Sequence, residues 1–145
     1  MAITSAICNS FKVEILKAVH NFTATTGNSF KLALYTSSAT LGAGTTAYST
    51  SDEITNTSGT AYTAGGKALT SVTPVLDSST AVCDFADISF TSASFTANGC
   101  LIYNDTQSDK AVCVVAFGGD KTVSSGTFTI QFPAAAASTA IVRVA

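Results

Sequence analysis

Apolar and polar residues alternate along most of the chain in short segments, a pattern typical of β-strands with one buried face. The clearest alternation places Phe128, Ile130 and Phe132 on one side of a segment. Similar segments recur at intervals of roughly 8–12 residues, with turn residues between them. The strands predicted in this way are residues 30–36, 67–76, 81–85, 88–90, 94–96, 100–104, 111–117, 127–132 and 140–144.

Turn-forming residues separate these segments and indicate how they connect. Asn98-Gly99 is the dipeptide best suited to a tight hairpin turn, so we expect a hairpin between segments 94–96 and 100–104. Gly118-Gly119-Asp120 predicts another turn, and residues 104–110 predict a polar one. Pro74 cannot donate a hydrogen bond to a neighbouring strand, which places the end of segment 67–76 at a sheet edge.

Only the first part of the chain, residues 5–22, has the periodicity of an amphipathic helix. Thr4 or Ser5 can cap its start. Glu14 and Lys17 lie on its solvent side, where they can pair weakly. Its apolar residues recur at helical spacing and are Ile7, Phe11, Ile15, Ala18, Val19 and Phe22. We expect this helix to fold back on the sheets and to bury Phe11, Ile15 and Val19 within the same chain.

The strands are not interleaved with helices, which excludes a parallel α/β sheet. The sequence therefore predicts a single, mainly β domain over residues 1–145. The expected architecture is an antiparallel β-sandwich of the jelly-roll or immunoglobulin-like kind, with about eight or nine strands and one N-terminal helix. The helix is expected to cover one open end or face of the sandwich.

Residues 37–60 interrupt the strand pattern with Ser, Thr, Ala and Gly, and so long a run without secondary structure is unusual in a compact domain. It is either a functional loop or a loop that orders against a partner. Large apolar side chains in such a loop need cover, so we interpret Leu41, Tyr48 and Ile54 as candidate partner-binding residues. The alternative is that these three side chains fold back onto the domain.

The composition has two explanations, one of which is a protein whose surface is largely covered in an assembly. Charged residues make up only 11% of the chain and its mean hydropathy is +0.37, so its surface is poorly protected against self-association. A Ser/Thr-rich monomer is the alternative. The net charge of −2 and the scattered Lys residues disfavour nucleic-acid binding. The longest apolar runs are far shorter than the ~20 residues that span a bilayer, and the start lacks the basic segment of a signal peptide.

Residues able to perform nucleophilic or thiol chemistry are few. His20 is the only histidine, and in the last turn of the predicted helix we expect it to be structural. The four cysteines, Cys8, Cys83, Cys100 and Cys113, lack the spacing of a zinc site. We interpret them as buried, reduced thiols rather than disulfides or metal ligands.

The acidic and glycine-rich segments also lack the residue patterns of calcium-binding and phosphate-binding loops. Asp77, Asp84 and Asp87 are too sparse for a calcium loop, so we interpret them as carboxylates at strand ends. Gly65-Gly66-Lys67-Ala68 lacks both the first glycine and the final hydroxyl of a phosphate-binding loop. The sequence therefore predicts a protein that is not an enzyme and binds no metal or cofactor.

Several segments together resemble a family of small structural proteins from the virions of tailed phages. They are the predicted helix 5–22, FKLALYT at 30–36, AYTAGG at 61–66, FAD at 85–87, GCLIYN at 99–104 and FTIQFP at 128–133. The similarity covers nearly the whole chain, and the order and spacing of the segments carry it. The chain differs from many relatives in having no Trp in the strand near Phe90.

Proteins of this kind are β-sandwich structural components, and some are decoration or cement proteins of the capsid. The resemblance implies a non-catalytic capsid decoration protein that binds the major capsid protein and itself, without nucleic-acid or membrane partners. It implies a place on the head surface of a virion assembled in the host cytoplasm. Related modules occur in tails and fibres, so the alternative is a tail or fibre module that contacts a host receptor.

Overall fold

Two antiparallel β-sheets and one short helix form the architecture of the computed structural model, which describes residues 2–55 and 62–145. The elements in chain order are β1 (Ala6–Ile7), α1 (Asn9–Leu16), β2 (Phe30–Tyr35), β3 (Lys67–Ala68), β4 (Ser71–Asp77), β5 (Thr80–Phe85), β6 (Ile88–Asn104), β7 (Lys110–Ile130) and β8 (Val142–Val144). One sheet has the order β1-β7-β6-β2-β3 and the other β4-β5-β8. The predicted fold class, a mainly β sandwich with an N-terminal helix, is confirmed.

Aromatic residues join the two sheets in one core. The ring of Phe30 in β2 stacks on Phe22, with 4.4 Å between centroids, and lies 5.9 Å from Phe85 in β5. Phe22 belongs to the segment after α1, so this segment packs where the two sheets meet. All three side chains are buried, and aromatic contacts of this kind add to the stabilisation from area burial.

The largest difference from the prediction is the length of β6 and β7. These strands pair along most of their length, from Ile88 with Ile130 to Asn104 with Lys110, so they form one long hairpin. Its turn is the predicted polar turn at residues 104–110. The predicted hairpin at Asn98-Gly99 is wrong because β6 continues through these residues.

Gly118-Gly119-Asp120 is likewise a local excursion of β7 rather than a turn between strands. The ladder pairs Ala97 with Lys121 and Gly99 with Ala116, so four residues of β7 face one residue of β6. Positive φ angles of 74° and 141° at Gly118 and Gly119 accommodate the excursion, and Asn98 donates a 2.9 Å hydrogen bond to Asp120. The glycines therefore mark a bulge, which sequence pattern cannot distinguish from a turn.

Helix α1 is shorter at both ends than the predicted helix 5–22. At its start, Ala6 and Ile7 pair with β7, and the N-cap is Cys8, which makes no side-chain capping bond. Thr4 and Ser5 therefore do not cap it. At its end, the amide of Val19 donates to the carbonyl of Glu14, and the amide of Ala18 donates to the carbonyl of Ile15. This is a Schellman motif with Ala18 at a φ of 57°, a position that glycine usually occupies.

The expected packing of α1 against its own chain is only partly confirmed. Phe11 is buried, with its ring centroid 6.0 Å from that of Phe22. Ile15 and Val19 are half-buried, and Leu16, which follows Ile15, is almost fully exposed. One side of the helix therefore lies against the core while another stays open.

The predicted strand 67–76 divides between the two sheets. β3 pairs with β2, whereas β4 pairs with β5, and the chain crosses from one sheet to the other at residues 69–70. Pro74 lies in β4, at the edge of the smaller sheet, beside a register shift between Val72 and Val75. The predicted edge position of Pro74 is confirmed.

Candidate functional site

The described part of the predicted loop 37–60 is held against its own domain by backbone bonds. The amide of Thr4 donates to the carbonyl of Leu41 at 2.9 Å, and the amide of Leu41 donates to the carbonyl of Ala2 at 3.1 Å. Near the other end of the loop, the amide of Ile54 donates to the carbonyl of Leu34 in β2 at 2.9 Å. We call residues 2–5 and 37–55 the loop surface. Residues 56–60 of the predicted loop lie outside the described residues.

The three candidate partner-binding residues have different surroundings. Ile54 is only 4% exposed, so its side chain packs within its own chain. Leu41 and Tyr48 are half-buried at the loop surface, and the ring of Tyr48 stacks on Tyr103 of β6 with 4.7 Å between centroids. Contact of these residues with a partner stays a prediction. Only Leu41 and Tyr48 keep exposed side-chain surface that a partner could contact.

A buried carboxylate, Glu53, fixes the loop surface. Its Oε1 accepts hydrogen bonds from the hydroxyl of Tyr62 at 2.6 Å and from the amide of Gly65 at 2.8 Å. Its Oε2 accepts one from the hydroxyl of Tyr48 at 2.7 Å. Glu53 is 7% exposed, and such a carboxylate is stable only where donors replace the water it has lost. One acidic side chain thus connects the loop with the segment that leads into β3.

The remaining two tyrosines of the chain extend this arrangement. Tyr35 of β2 donates to the carbonyl of Ser49 at 2.7 Å, and Tyr103 donates to the carbonyl of Gly65 at 2.6 Å. All four tyrosines thus bind the loop surface or the segment beside it. We call Glu53 with Tyr35, Tyr48, Tyr62 and Tyr103 the tyrosine network. Sequence reasoning missed it because the partners lie on separate segments, although one Glu in an otherwise hydroxyl-rich loop was a visible signal.

Burial raises the pKa of each tyrosine hydroxyl in this network. For Tyr48 burial is the main cause and the hydrogen bond to Glu53 adds to it, which raises the pKa to about 12. The pKa values of Tyr35, Tyr62 and Tyr103 are raised further, again mainly by burial. Each phenol is therefore held in its neutral, donating form.

These shifts predict a loss of stability in alkali. A group whose pKa is higher in the folded protein stabilises it below the unfolded pKa, which is about 10 for tyrosine, and this stabilisation is lost as the pH rises further. We expect the phenolate absorbance to rise together with loss of the β-sheet circular dichroism signal between about pH 10 and pH 12. Tyrosines that ionise near pH 10 while the circular dichroism stays native would contradict this expectation.

A broad groove of about 720 Å³ crosses the loop surface between the N-terminal segment and the loop. Its hydroxyl groups come from Thr4, Thr40, Thr45, Thr46 and Ser49. The other residues lining it are alanines, glycines and Leu41, so no side chain in the groove is charged. Such a surface can offer hydroxyl and backbone hydrogen bonds and small apolar contacts to an uncharged protein surface.

Comparisons with known proteins add no family to this description. The chain matches no protein-family model, no curated protein and no solved structure. The resemblance to virion proteins therefore stays an expectation from the sequence.

His20 lies four residues beyond the end of α1, rather than in its last turn, and is buried. The side-chain oxygen of Asn104 accepts from the amide of Gln107, so its NH₂ group faces His20 Nδ1 at 3.0 Å and donates to it. Nε2 then carries the proton and donates to Glu14 at 2.7 Å. Glu14 also lies 3.8 Å from Lys110, so it pairs with these two groups rather than with Lys17. This chain of bonds ties the segment after α1 to the β6–β7 turn.

The thiols lie in apolar surroundings. Cys8, Cys100 and Cys113 are buried, whereas Cys83 is half-buried. Burial raises the pKa of Cys8 to about 11 and that of Cys100 to about 12, which disfavours the nucleophilic thiolate. These positions fit the expected packing role, with Cys83 less enclosed than predicted.

The carboxylates singled out in the sequence accept hydrogen bonds from the backbone. Asp77 accepts from the amide of Ala137 at 2.6 Å, Asp84 from Phe85 at 2.8 Å, and Asp87 from Phe132 at 2.7 Å. Within residues 2–55 and 62–145, no three His, Cys, Asp or Glu side chains lie close enough together to hold a metal ion. Among the same residues, no helix has the length and apolarity needed to cross a membrane.

Proposed function

We propose that this protein is a non-catalytic structural protein of a tailed-phage virion, a capsid decoration protein that binds the major capsid protein and stabilises the head. The resemblance of its sequence segments, in their order and spacing, to small virion proteins supports this proposal. The low charge of the chain supports it as well, because an uncharged surface suits a protein that is covered by neighbours in an assembly.

The observation that carries the proposal is the fixed loop surface, whose groove is lined by no charged side chain. The tyrosine network orders a long Ser/Thr/Gly segment that has no strand of its own. A partner would therefore meet a preformed surface, and binding would not need to order the loop. This is the property expected of a protein that adds to a completed shell rather than folding together with it.

Stabilisation of the head would follow from mass action. A protein that binds only the assembled and expanded shell shifts the equilibrium toward that shell by an amount set by its free concentration and its Kd. Bound copies that also contact each other would connect neighbouring capsid subunits. No chemistry is required of any side chain in this role.

The test is binding of the purified protein to emptied, expanded heads of the phage that encodes it. We expect saturable binding at a fixed ratio to the major capsid protein, and heads that break at a higher temperature than bare heads. Ala47→Lys places a charge in the groove at an exposed position and should weaken binding at least about tenfold. Ala134→Lys makes the same change at an exposed position that does not line the groove and should bind normally.

Two outcomes would overturn the proposal. Wild-type protein that does not bind heads would remove it outright. A few copies located on the tail of the virion, with none on the head, would favour a tail or fibre module that contacts the host.

A further inference from the structure

The buried ring of His20 has a different hydrogen-bond partner on each of its nitrogens. Nε2 donates to the carboxylate of Glu14 in α1 at 2.7 Å, and Nδ1 accepts from the side-chain NH₂ group of Asn104 in β6 at 3.0 Å. Histidine is the side chain whose charge ordinarily changes between about pH 5 and pH 8, and His20 is the only one in the chain. The ring therefore joins two separate elements through a group that can respond to acid.

Backbone amides fix the orientation of the Asn104 side chain. The amide of Gln107 donates to Oδ1 of Asn104 at 3.2 Å, which leaves the NH₂ group on the side of His20. The same NH₂ group donates at 3.0 Å to Oδ1 of Asn28, an oxygen that also accepts from the amide of Asn21 at 2.8 Å. A backbone amide is always a donor, so both side-chain oxygens are assigned. Asn104 thus presents a donor to His20, and this bond requires a neutral ring without a proton on Nδ1.

A second proton on His20 acts on the two sides of the ring in opposite ways. The imidazolium ion donates from both nitrogens and accepts at neither. On the Nε2 side, the bond to Glu14 then joins opposite charges and becomes stronger. On the Nδ1 side, two donors face each other and the bond to Asn104 is lost. One proton therefore keeps the ring on α1 and releases it from β6.

Turning the Asn104 amide over does not restore the lost bond. Oδ1 would then accept from His20, but it would also face Oδ1 of Asn28, and the NH₂ group would face the amide of Gln107. Two bonds would be given up to recover one, and unpaired polar groups are costly where water is excluded. The charged ring is therefore incompatible with the present contacts of the β6–β7 turn.

The charged group in contact with the ring is Glu14. Lys110 of β7 lies 3.8 Å from the other carboxylate oxygen of Glu14, so it faces this carboxylate rather than the ring. The thiol of Cys83 lines the same groove as His20, and burial raises its pKa to about 11, which keeps it neutral. The aromatic neighbours of the ring are Phe11, Phe22 and Phe30. The response of the ring to acid is therefore set by Glu14 on one side and by Asn104 on the other.

The turn held by this ring also anchors the loop surface. The amide of Tyr48 donates to the carbonyl of Asp109 at 2.9 Å, and the amide of Ala111 donates to the carbonyl of Thr46 at 3.0 Å. Asp109 lies in the β6–β7 turn that begins at Asn104, and Ala111 follows at the start of β7. A change in the turn therefore reaches two backbone bonds of the loop surface.

We propose that His20 is a pH-sensitive latch. When neutral, it ties the segment after α1, residues 17–29, to the β6–β7 turn. When it gains a proton, the latch opens on the side of Asn104, and the change extends through the turn to the loop surface. This device is a property of the folded chain and does not depend on what the loop surface binds.

A titration of the purified full chain from about pH 8 to about pH 5, followed by NMR, tests the latch. This range stays above the ordinary carboxyl pKa values of about 4. The ¹⁵N shifts of the ring report protonation of His20, and the backbone amides of Gln107 and Tyr48 report the turn and the loop surface. We expect both amides to change along the same curve as the ring. Thr122, which pairs with Thr96 in the outer half of the β6–β7 hairpin, is the reference and should not change.

Two variants show whether the change runs through this ring. The side chain introduced by His20→Gln offers one donor and one acceptor, as the neutral ring does, but cannot gain a proton. The amides of Gln107 and Tyr48 should then be independent of pH. The carboxylate introduced by Asn104→Asp accepts from the Gln107 amide and also from a protonated Nδ1. The turn should stay closed around a charged ring, so the pH-dependent changes should be lost here as well.

Three outcomes would overturn the latch. One is a His20 ring that gains its second proton while the amides of Gln107 and Tyr48 stay unchanged. Another is a ring that stays neutral in the folded protein down to about pH 5. The third is an unchanged pH response of these amides in His20→Gln. The wild-type titration decides the question even if neither variant folds. A protein that has the latch but does not bind heads would leave this inference intact and remove only the decoration function.

Discussion

Replacing Glu53 with alanine is expected to lower the free energy of unfolding by about 3–5 kcal/mol, because one buried and two half-buried donors then lose their acceptor. The hydroxyls of Tyr48 and Tyr62 and the amide of Gly65 all point at this carboxylate. Such a loss is a large fraction of the ~5–15 kcal/mol that stabilises a typical domain. Urea unfolding followed by circular dichroism measures it as a lower midpoint.

The neighbouring acidic residue provides the control for this prediction. Asp52 is exposed and has a φ of 60°, a conformation that asparagine tolerates. Asp52→Asn removes the same charge without removing an acceptor from the tyrosine network, so we expect a change within about 0.5 kcal/mol. If Glu53→Ala unfolded at the same urea concentration as Asp52→Asn, the network would not hold the loop surface.

Gly66→Ala is expected to have an even larger effect and to prevent stable folding. A Cβ at Gly66 would overlap the carbonyl oxygen of Leu32 and lie 2.6 Å from its carbon and 2.8 Å from Cα of Ala33. The residue also has a φ of 78°, which adds strain for any residue with a side chain. Because the obstruction is backbone of β2, which is paired on both sides with β6 and β3, relief requires moving a strand. We expect a loss above about 4 kcal/mol, measured as low soluble yield and loss of a cooperative thermal transition.

Gly44→Ala is the matched control for Gly66→Ala. A Cβ at Gly44 meets no atom within 4 Å, and its backbone is outside the positive-φ region. We expect its stability to equal that of wild type within about 0.5 kcal/mol, or to rise slightly through a less flexible unfolded state. A cooperative, wild-type transition in Gly66→Ala would show that β2 and the segment before β3 are not packed as described.

The fold class was readable from sequence because alternation of apolar residues is a local signal. The alternation of Phe128 and Ile130, or of Leu32 and Leu34, indicates a strand without reference to any other segment. The number of strands was harder to predict, since bulges interrupt the pattern as turns do. At Gly99, a Cβ would lie 2.7 Å from Ile3 Cγ2 and 2.8 Å from the carbonyl oxygen of Val115. The glycine thus permits a close approach inside β6 rather than a hairpin.

The C-terminal end of α1 was also hard to predict from the sequence. A helix end can be recognised in a sequence when its left-handed residue is glycine, but here that residue is Ala18, and the apolar periodicity continues past it to residue 22. The tyrosine network could not be predicted from pattern at all. Its contacts join Glu53 with Tyr62 and Tyr48 with Tyr103, and which distant segments meet is decided by sheet topology rather than by local composition.

The pairing of β1 with β7 also determines the order in which the chain can fold during synthesis. Ala6 pairs with Val114, so most of the chain must leave the ribosome before the N-terminal segment finds its partner. β2 waits similarly for β6, since Phe30 pairs with Asn104. A topology dominated by such distant contacts folds slowly, and its first strands remain exposed to other chains for longer than its last. During translation, the early strands of this protein are therefore the part most in need of a chaperone.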